Sequence, residues 1–148
     1  MEYKFGKRSL DNLKNVHPDL VKVMMAAITN SPVDFTVTEG LRSQTRQQEL
    51  YAQGRTKKGI KVTNVDGVKK KSNHQDEADG KKDNLGSAVD IYPFFLGQVQ
   101  VNHKDTVKNL KLIAAHIKKV AAELKIGITW GGDWKNLYDP PHFELKRK

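Results

Sequence analysis

The strand that decides the fold of this chain reads Gly86-Ser87-Ala88-Val89-Asp90-Ile91-Tyr92. Small and β-branched residues suit extended backbone, and we expect Pro93 to end the strand. Alternate side chains of a strand face opposite sides of the sheet, so Asp90 lies opposite to Val89 and Ile91. A carboxylate in a strand this apolar is costly to desolvate unless it is paired or bound to a metal ion. The alternatives to a metal ligand are an exposed strand face and a salt bridge with an arginine.

Hydrophobic periodicity predicts helices and short strands along the rest of the chain. The first is a helix capped by Ser9 that breaks and restarts at Pro18. A strand over residues 34–38, a short helix over 44–52 capped by Ser43 and the strand described above follow it. A long helix then opens at Asp105 and is stopped by Gly127, and the closing strands lie over 128–130 and 142–145. This order predicts an α+β fold in which a small antiparallel sheet packs against helices. At 148 residues we expect one domain that covers residues 1–148.

The composition is that of a globular protein with a charged surface, with 37% hydrophobic and 29% charged residues. There is no run of about 18 apolar residues, so we expect no transmembrane helix. The N-terminus lacks the apolar stretch and cleavage site of a secretory signal, and we expect the chain to begin in the cytoplasm. Without cysteine the chain needs no disulfide and cannot build a thiolate zinc site.

The net charge of +9 is compatible with nucleic acid, with an anionic envelope surface or with a solubilising shell of lysine. The densest basic runs are Lys69-Lys70-Lys71 and Lys146-Arg147-Lys148. Neither a recognition helix nor an RNA-binding signature accompanies them, so we expect no specific nucleic-acid partner. Charge alone does not identify the partner.

Two histidines and one aspartate stand out as candidate metal ligands: His74, Asp90 and His142. Two imidazoles and a carboxylate form the ligand set of a catalytic zinc that keeps a fourth position for water. Asp139, three residues before His142, adds a candidate proton acceptor beside that water. Taken singly, His74 is compatible with a solvated loop residue and His142 with a hydrogen-bonded, half-buried histidine. Together these residues point to a zinc hydrolase.

Several short motifs follow one another along the chain. They are Glu39-Gly40-Leu41-Arg42-Ser43, Arg46-Gln47, Leu50-Tyr51, Gly54-Arg55-Thr56, Ser72-x-His74, Gly86-x-Ala88-x-Asp90, Trp130-Gly131-Gly132 and His142-Phe143-Glu144. In this order they resemble the L-alanyl-D-glutamate peptidase family. These zinc peptidases are related to the vancomycin-resistance-type D,D-peptidases and include many bacteriophage endolysins. The resemblance runs from about Leu10 to Leu145 and implies a compact α+β fold.

The resemblance also implies a role for each matching residue. It assigns His74, Asp90 and His142 as the zinc ligands. Zinc would lower the pKa of a bound water toward about 7 and polarise the scissile carbonyl. Asp139 matches the general base, which takes the proton of the water and hands it to the leaving amine. Arg42 matches the arginine that faces the substrate and the developing oxyanion.

Four neighbouring residues are assigned on weaker grounds. Glu144 is an alternative base or, because it lies on the same side of its strand as His142, a partner of that histidine. Ser72 binds substrate or orients the histidine loop. Trp130 forms a wall of the substrate cleft or part of the core. Tyr92 is interpreted as a core residue.

The first histidine motif departs from the family pattern. The family usually places the motif glycine close behind the histidine, whereas residues 75–85 separate His74 from Gly86 here. This looks like an insertion in the polar loop over 55–85, with an acidic run over 76–83. A solvated loop that bulges outward would leave the site intact. A calcium ion bound by the acidic oxygens is the alternative.

The activity implied by the resemblance is cleavage of the peptidoglycan stem peptide between L-alanine and D-glutamate. A start in the cytoplasm suits a monomeric, phage-type lysin that acts on the cell wall after release, and the basic charge would hold it at the anionic envelope. One alternative is a D,D-carboxypeptidase or dipeptidase on the same zinc site. Another is a noncatalytic, zinc-stabilised module that binds anionic polymers.

Overall fold

Helices cover one face of an antiparallel sheet in the part of the chain that the structure, a computed structural model, describes: residues 2–41, 52–53, 86–135 and 138–146. The elements are, in chain order, α1 (Lys7–Leu13), α2 (Pro18–Thr29), β1 (Phe35–Glu39), β2 (Ala88–Phe95), β3 (Gln98–Val99), α3 (Thr106–Glu123), β4 (Ile128–Trp130), a 3-10 turn (Gly131–Asp133) and β5 (His142–Leu145). The predicted α+β class, a small antiparallel sheet packed against helices in a single domain, is confirmed.

The strand β2 lies at the centre of the sheet, whose order is β1-β2-β5-β4, with β3 paired to the end of β2. Directly opposite residues of antiparallel strands project from the same face. The register places Glu39 of β1 opposite Asp90, and it places Asp90 opposite His142 of β5. These three residues therefore form a line across one face of the sheet, which we call the ionisable row.

An irregularity in β1 is what brings Glu39 into the ionisable row. β1 pairs regularly with β2 up to Val37, and the next pair is Glu39 with Asp90. Thr38 is therefore one extra residue on β1. A bulge of this kind bends a strand and re-aims the side chains that follow it. Without the bulge, Thr38 would stand opposite Asp90 and Glu39 would point toward the core.

The opposite face of β2 carries the hydrophobic core. Val89 and Ile91 are fully buried there together with Phe143 of β5, as strand alternation predicts. The helices α2 and α3 cover this face with apolar side chains at helical spacing, namely Leu20, Val23, Met24, Ala27, Leu110, Ile113, Ala114 and Ile117. Burial of one face specifies the register, because a slip of one residue would exchange the core face with the ionisable one.

The strand β2 runs through Pro93 to Phe95, so the prediction that Pro93 ends the strand is wrong. Proline lacks an N–H group and is tolerated in a strand where no neighbour needs that donor. The Ile91 N–H donates to the Pro141 carbonyl, on the β5 side of β2. Two residues further on, Pro93 faces the same side, where the pairing with β5 over residues 88–90 has already ended.

The first helical segment shows the predicted break but a different start. The helix α2 begins at Pro18, where a missing N–H costs little because the first turn has no partner for it. The helix α1 begins at Lys7, so the prediction that Ser9 is an N-cap is wrong. Ser9 is buried inside the helix, and its hydroxyl oxygen accepts a hydrogen bond from the Val37 N–H at 3.0 Å. This bond ties α1 to β1.

The long helix α3 begins after Asp105 as predicted but ends before Gly127. Its last residue is Glu123, and Lys125 takes left-handed backbone with a φ of 60°. The N–H groups of Lys125 and Ile126 donate to carbonyls of the last helical turn. These bonds satisfy the end of the helix, so no glycine is needed to stop it.

The other predicted elements agree with the structure as far as it describes them. Strands are present at the positions predicted over 34–38, 128–130 and 142–145, within one residue at each end. Of the helix predicted over 44–52 only Ala52 is described, and it is helical. None of the helices in the described ranges is both long and apolar enough to span a bilayer.

Replacing Ser9 with alanine should lower the free energy of unfolding by about 1–3 kcal/mol, because the buried Val37 N–H loses its acceptor. Urea unfolding measures this loss, and amide hydrogen exchange at Val37 should become faster. Lys22→Ala on the exposed surface of α2 is the control, with an expected change below about 0.5 kcal/mol. Equal stability of Ser9→Ala and wild type would show that the bond contributes nothing.

Candidate active site

A short turn before β5, which we call the site turn (residues 139–141), brings a second carboxylate to the ionisable row. It leads directly into His142. The His142 N–H donates to the Asp139 carbonyl at 3.0 Å, and the Pro141 carbonyl accepts from the Ile91 N–H at 2.9 Å. The turn is thus closed on itself and fixed to β2, so Asp139 is held beside His142.

The ring of His142 is buried between carboxylates. Its Nδ1 lies 3.4 Å from Asp90 Oδ1 and 3.9 Å from Asp139 Oδ2, and its Nε2 lies 2.7 Å from Glu144 Oε1. Burial by itself lowers the pKa of His142, but the carboxylates of Asp90 and Glu144 outweigh it and raise the pKa to about 9. A metal ion bound at this ring would therefore replace a proton.

Three of these side chains can reach one cation. One ligand atom from each of Asp90, Asp139 and His142 lies within 4.8 Å of the other two. Carboxylate oxygen and imidazole nitrogen are donors that zinc and other divalent first-row metals accept. The residues present therefore fit a metal ion.

The predicted site residues on β2, the site turn and β5 are thus gathered in one place. Three other predicted site residues, Arg42, Ser72 and His74, lie outside the described part of the chain. The polar loop over 55–85 lies outside it too, and so does the acidic run over 76–83. The roles assigned to these residues, and a calcium site in the acidic run, stay predictions.

Trp130 supports the site turn from the core side of the sheet. It is buried and stacks on Phe143 with the ring centroids 6.3 Å apart. Its indole N–H donates to the Pro140 carbonyl at 2.6 Å. Of the two interpretations made from the sequence, the described contacts of Trp130 are those of a core residue, and its contact with substrate stays a prediction.

Two residues without an individual role in the sequence analysis, Gly131 and Trp134, complete the surroundings of His142. The rings of Trp134 and His142 lie 5.0 Å apart between centroids. The Gly131 carbonyl accepts hydrogen bonds from the N–H groups of Trp134 and Asp139. A Cβ atom at Gly131 would come within 2.2 Å of the Asp139 carbonyl oxygen. The paired glycines after Trp130 were the sequence signal of this close packing.

Tyr92, which was predicted from the sequence to be a core residue, packs against the core but lies on the face that carries Asp90. It follows Asp90 by two positions on β2 and therefore shares its face, so the parity of the strand was the signal that could have found it. Its ring is half-buried and packs against the edge of the core. Burial raises the pKa of its hydroxyl to about 12, with smaller contributions from the carboxylates of Asp90, Asp139 and Glu39. Glu39, which the bulge turns to this face, also had no assigned role.

The fold and the clustered carboxylates and imidazole are together those of a small α+β hydrolase. The comparison with known families is more specific. Residues 1–147 match the family described as phage L-alanyl-D-glutamate peptidase. The chain belongs to this family of peptidases, which confirms the resemblance seen in the sequence motifs.

Individual relatives are similar over most of their length. Peptidoglycan L-alanyl-D-glutamate endopeptidase CwlK of Bacillus subtilis (strain 168) is 36% identical over 138 residues, which cover 88% of this chain and 74% of that protein. The L-alanyl-D-glutamate peptidase of Escherichia phage T5 is 30% identical over 147 residues, covering 99% and 92%. The crystal structure of Serratia marcescens L-Ala D-Glu endopeptidase ChiX matches with a TM-score of 0.71 at 33% identity, covering 98% of this chain and 92% of that one.

Replacing Gly131 with alanine should displace the site turn, because the new Cβ overlaps the Asp139 carbonyl. Overpacking of this kind costs about 1–3 kcal/mol of stability, and we expect added Zn²⁺ to bind about 10- to 100-fold more weakly. Urea unfolding and competition with a chelating dye measure the two effects. Gly6→Ala is the matched control, since a Cβ there meets nothing within 4 Å. Wild-type affinity for Zn²⁺ in Gly131→Ala would mean that the turn does not hold the site.

Proposed function

We propose that this protein is a zinc endopeptidase that cuts the stem peptide of peptidoglycan between L-alanine and D-glutamate. The observation that carries the proposal is the convergence of Asp90, Asp139 and His142 in a chain of the L-alanyl-D-glutamate peptidase family. Relatives named for this activity, from two bacteria and a phage, support the choice of bond.

The proposed zinc ligands are Asp90 and His142 on the sheet and His74 from the loop. Of the two ring nitrogens of His142, Nδ1 is the proposed ligand, because it faces Asp90 while Nε2 faces Glu144. Asp90 lies on the central strand, where pairing on both sides holds its backbone. Zinc, when bound, supplies a water of lowered pKa and polarises the scissile carbonyl.

Asp139 is proposed as the general base rather than as a permanent ligand. Its side chain is 40% exposed, against 19% for Asp90 and 8% for His142. It also lies farther from His142 Nδ1, at 3.9 Å against 3.4 Å for Asp90. A carboxylate on the solvent side of the cluster is placed to take a proton from water and to return it to the leaving amine.

Glu144 is proposed as a positioning residue rather than as the base. Its Oε1 contacts Nε2 of His142, on the side of the ring that faces away from Asp90 and Asp139. A carboxylate in this position accepts the N–H of a ligand histidine, which fixes the tautomer and the orientation of the ring. This supports the second of the two interpretations made from the sequence.

Arg42, Ser72 and Trp130 complete the proposal on the strength of the family resemblance. Arg42 would stabilise the negative charge of the tetrahedral intermediate together with zinc. Ser72 is a proposed contact to substrate. Trp130 is a proposed contact to substrate, in addition to its support of the site turn.

The proposed setting is that of a phage-type lysin, a monomer that starts in the cytoplasm and acts on the cell wall after release. The net charge of +9 supports attraction to the anionic envelope, which raises the local concentration of the enzyme at its substrate. We propose no specific nucleic-acid partner, and we propose that the acidic run over 76–83 is a solvated loop.

Digestion of purified peptidoglycan followed by mass spectrometry tests this function. Wild type loaded with zinc should release fragments with new L-alanine C-termini and D-glutamate N-termini. Asp139→Ala should keep its metal and lose about 100- to 10,000-fold in rate, because the base is gone. Asp133→Ala is the matched control, since Asp133 is an exposed carboxylate of the preceding turn that pairs with Lys118.

The other outcomes of this digestion identify the alternatives. Release of free D-alanine from the stem peptide would make the protein a D,D-carboxypeptidase. Hydrolysis of an added D,D-dipeptide to two free amino acids, with the peptidoglycan left intact, would make it a dipeptidase. An absence of any cleavage by zinc-loaded wild type, with retained binding to the sacculus, would make it a noncatalytic module. Full activity of Asp139→Ala would move the role of base to another group.

The same preparations separate the role of Glu144 from that of Asp139. Glu144→Ala should weaken Zn²⁺ binding by about 10- to 100-fold, because His142 loses the partner that orients it. Saturating zinc should then restore most of its rate, whereas no zinc concentration should restore Asp139→Ala. Glu123→Ala, at the exposed end of α3, controls for loss of one negative charge. Unchanged metal affinity of Glu144→Ala would refute the positioning role.

A further inference from the structure

Tyr92 places a hydroxyl group on the face that carries the proposed active site. It lies opposite Thr36 of β1, and on β2 it stands two residues from Asp90, which pairs with Glu39. Because Tyr92 follows Asp90 by two positions on β2, its side chain projects from the same face as the carboxylate of Asp90. The apolar part of the ring rests against the core.

No described residue forms a hydrogen bond with this hydroxyl. A phenylalanine would make the same ring contacts with the core, so these contacts do not require the hydroxyl. The ionised carboxylates around Tyr92 accept hydrogen bonds but cannot donate them. Contact with the core accounts for the ring but not for the hydroxyl, which can donate to a molecule that binds at the site.

We propose that the Tyr92 hydroxyl donates a hydrogen bond to the scissile carbonyl oxygen of the bound stem peptide as that oxygen becomes negative. This inference rests on the proposed endopeptidase function. Water adds to the carbonyl carbon while Asp139 takes one proton from it, and the carbonyl oxygen takes the electron pair of the C=O π bond. The hydroxyl of Tyr92 donates a hydrogen bond to that negative oxygen and keeps its own proton. Donors aimed at a developing oxyanion stabilise the transition state more than the ground state.

The test compares Tyr92→Phe with Tyr3→Phe, both loaded with zinc and assayed on a soluble stem peptide. Tyr3 is a half-buried tyrosine that packs against the core at the start of the chain, so its variant controls for loss of one phenol. Tyr92→Phe should lower kcat by about 100-fold and leave KM within about 2-fold. Its zinc content and melting temperature should equal those of wild type, because the ring is kept.

Binding of a phosphinate analogue of the stem peptide gives a readout that does not depend on turnover. The tetrahedral phosphinate mimics the intermediate, so Tyr92→Phe should bind it about 100-fold more weakly while Tyr3→Phe binds it like wild type. Wild-type kcat and phosphinate affinity in Tyr92→Phe would overturn the inference and leave the proposed function standing. Loss of zinc by Tyr92→Phe would overturn it in favour of a structural role. A zinc-loaded wild type that neither cleaves the peptide nor binds the phosphinate would overturn the proposed function and the inference with it.

Discussion

The contact between Asp90 and His142 across β2 and β5 is the constraint on which this structure depends. Two ionisable groups that are buried together are stable only when they interact with each other or with a bound ion. Removal of one partner typically lowers the free energy of unfolding by about 3–5 kcal/mol. The contact exists because the two residues stand directly opposite each other in the antiparallel register. Glu144 contacts the second ring nitrogen of His142, and the site turn brings Asp139 to the first.

Stability and chemistry are divided between the two faces of the same sheet. Val89, Ile91 and Phe143 on one face are held by α2 and α3, and that packing sets the register. The opposite face receives its residues from the same two strands, from β1 and from the turn before β5. Because register is shared by both faces, the apolar core positions Asp90 and His142 as accurately as it positions its own side chains. The apolar residues of the core therefore contribute to the geometry of the site by fixing the register of its strands.

The sequence predicted what depends on local pattern and missed what depends on distant partners. Asp90 and His142 were identified because strand alternation and ligand chemistry can be read over a few residues. Ser9 was mistaken for a cap because its real partner, the Val37 N–H, lies 28 residues away. Pro93 was mistaken for a strand end because the place where β5 stops pairing is invisible from β2 alone. The face of Tyr92 was missed although strand alternation gives it, since Tyr92 stands two positions from Asp90 on β2.

The bulge at Thr38 changes the face of the sheet from which the next residue of β1 projects. Up to Val37 the alternation of β1 is that of the core face, and Glu39, the strand residue after the bulge, pairs with Asp90 of the ionisable row. Loops can gain or lose residues without changing which way a strand's side chains point, and the sequence predicts that the long spacing between His74 and Gly86 is of that kind. A single residue gained or lost within β1 has no such freedom, because it would rotate every later side chain to the wrong face. Whether an inserted residue is tolerated therefore depends on whether it changes the alternation of side chains along a strand, and not on how many residues are inserted.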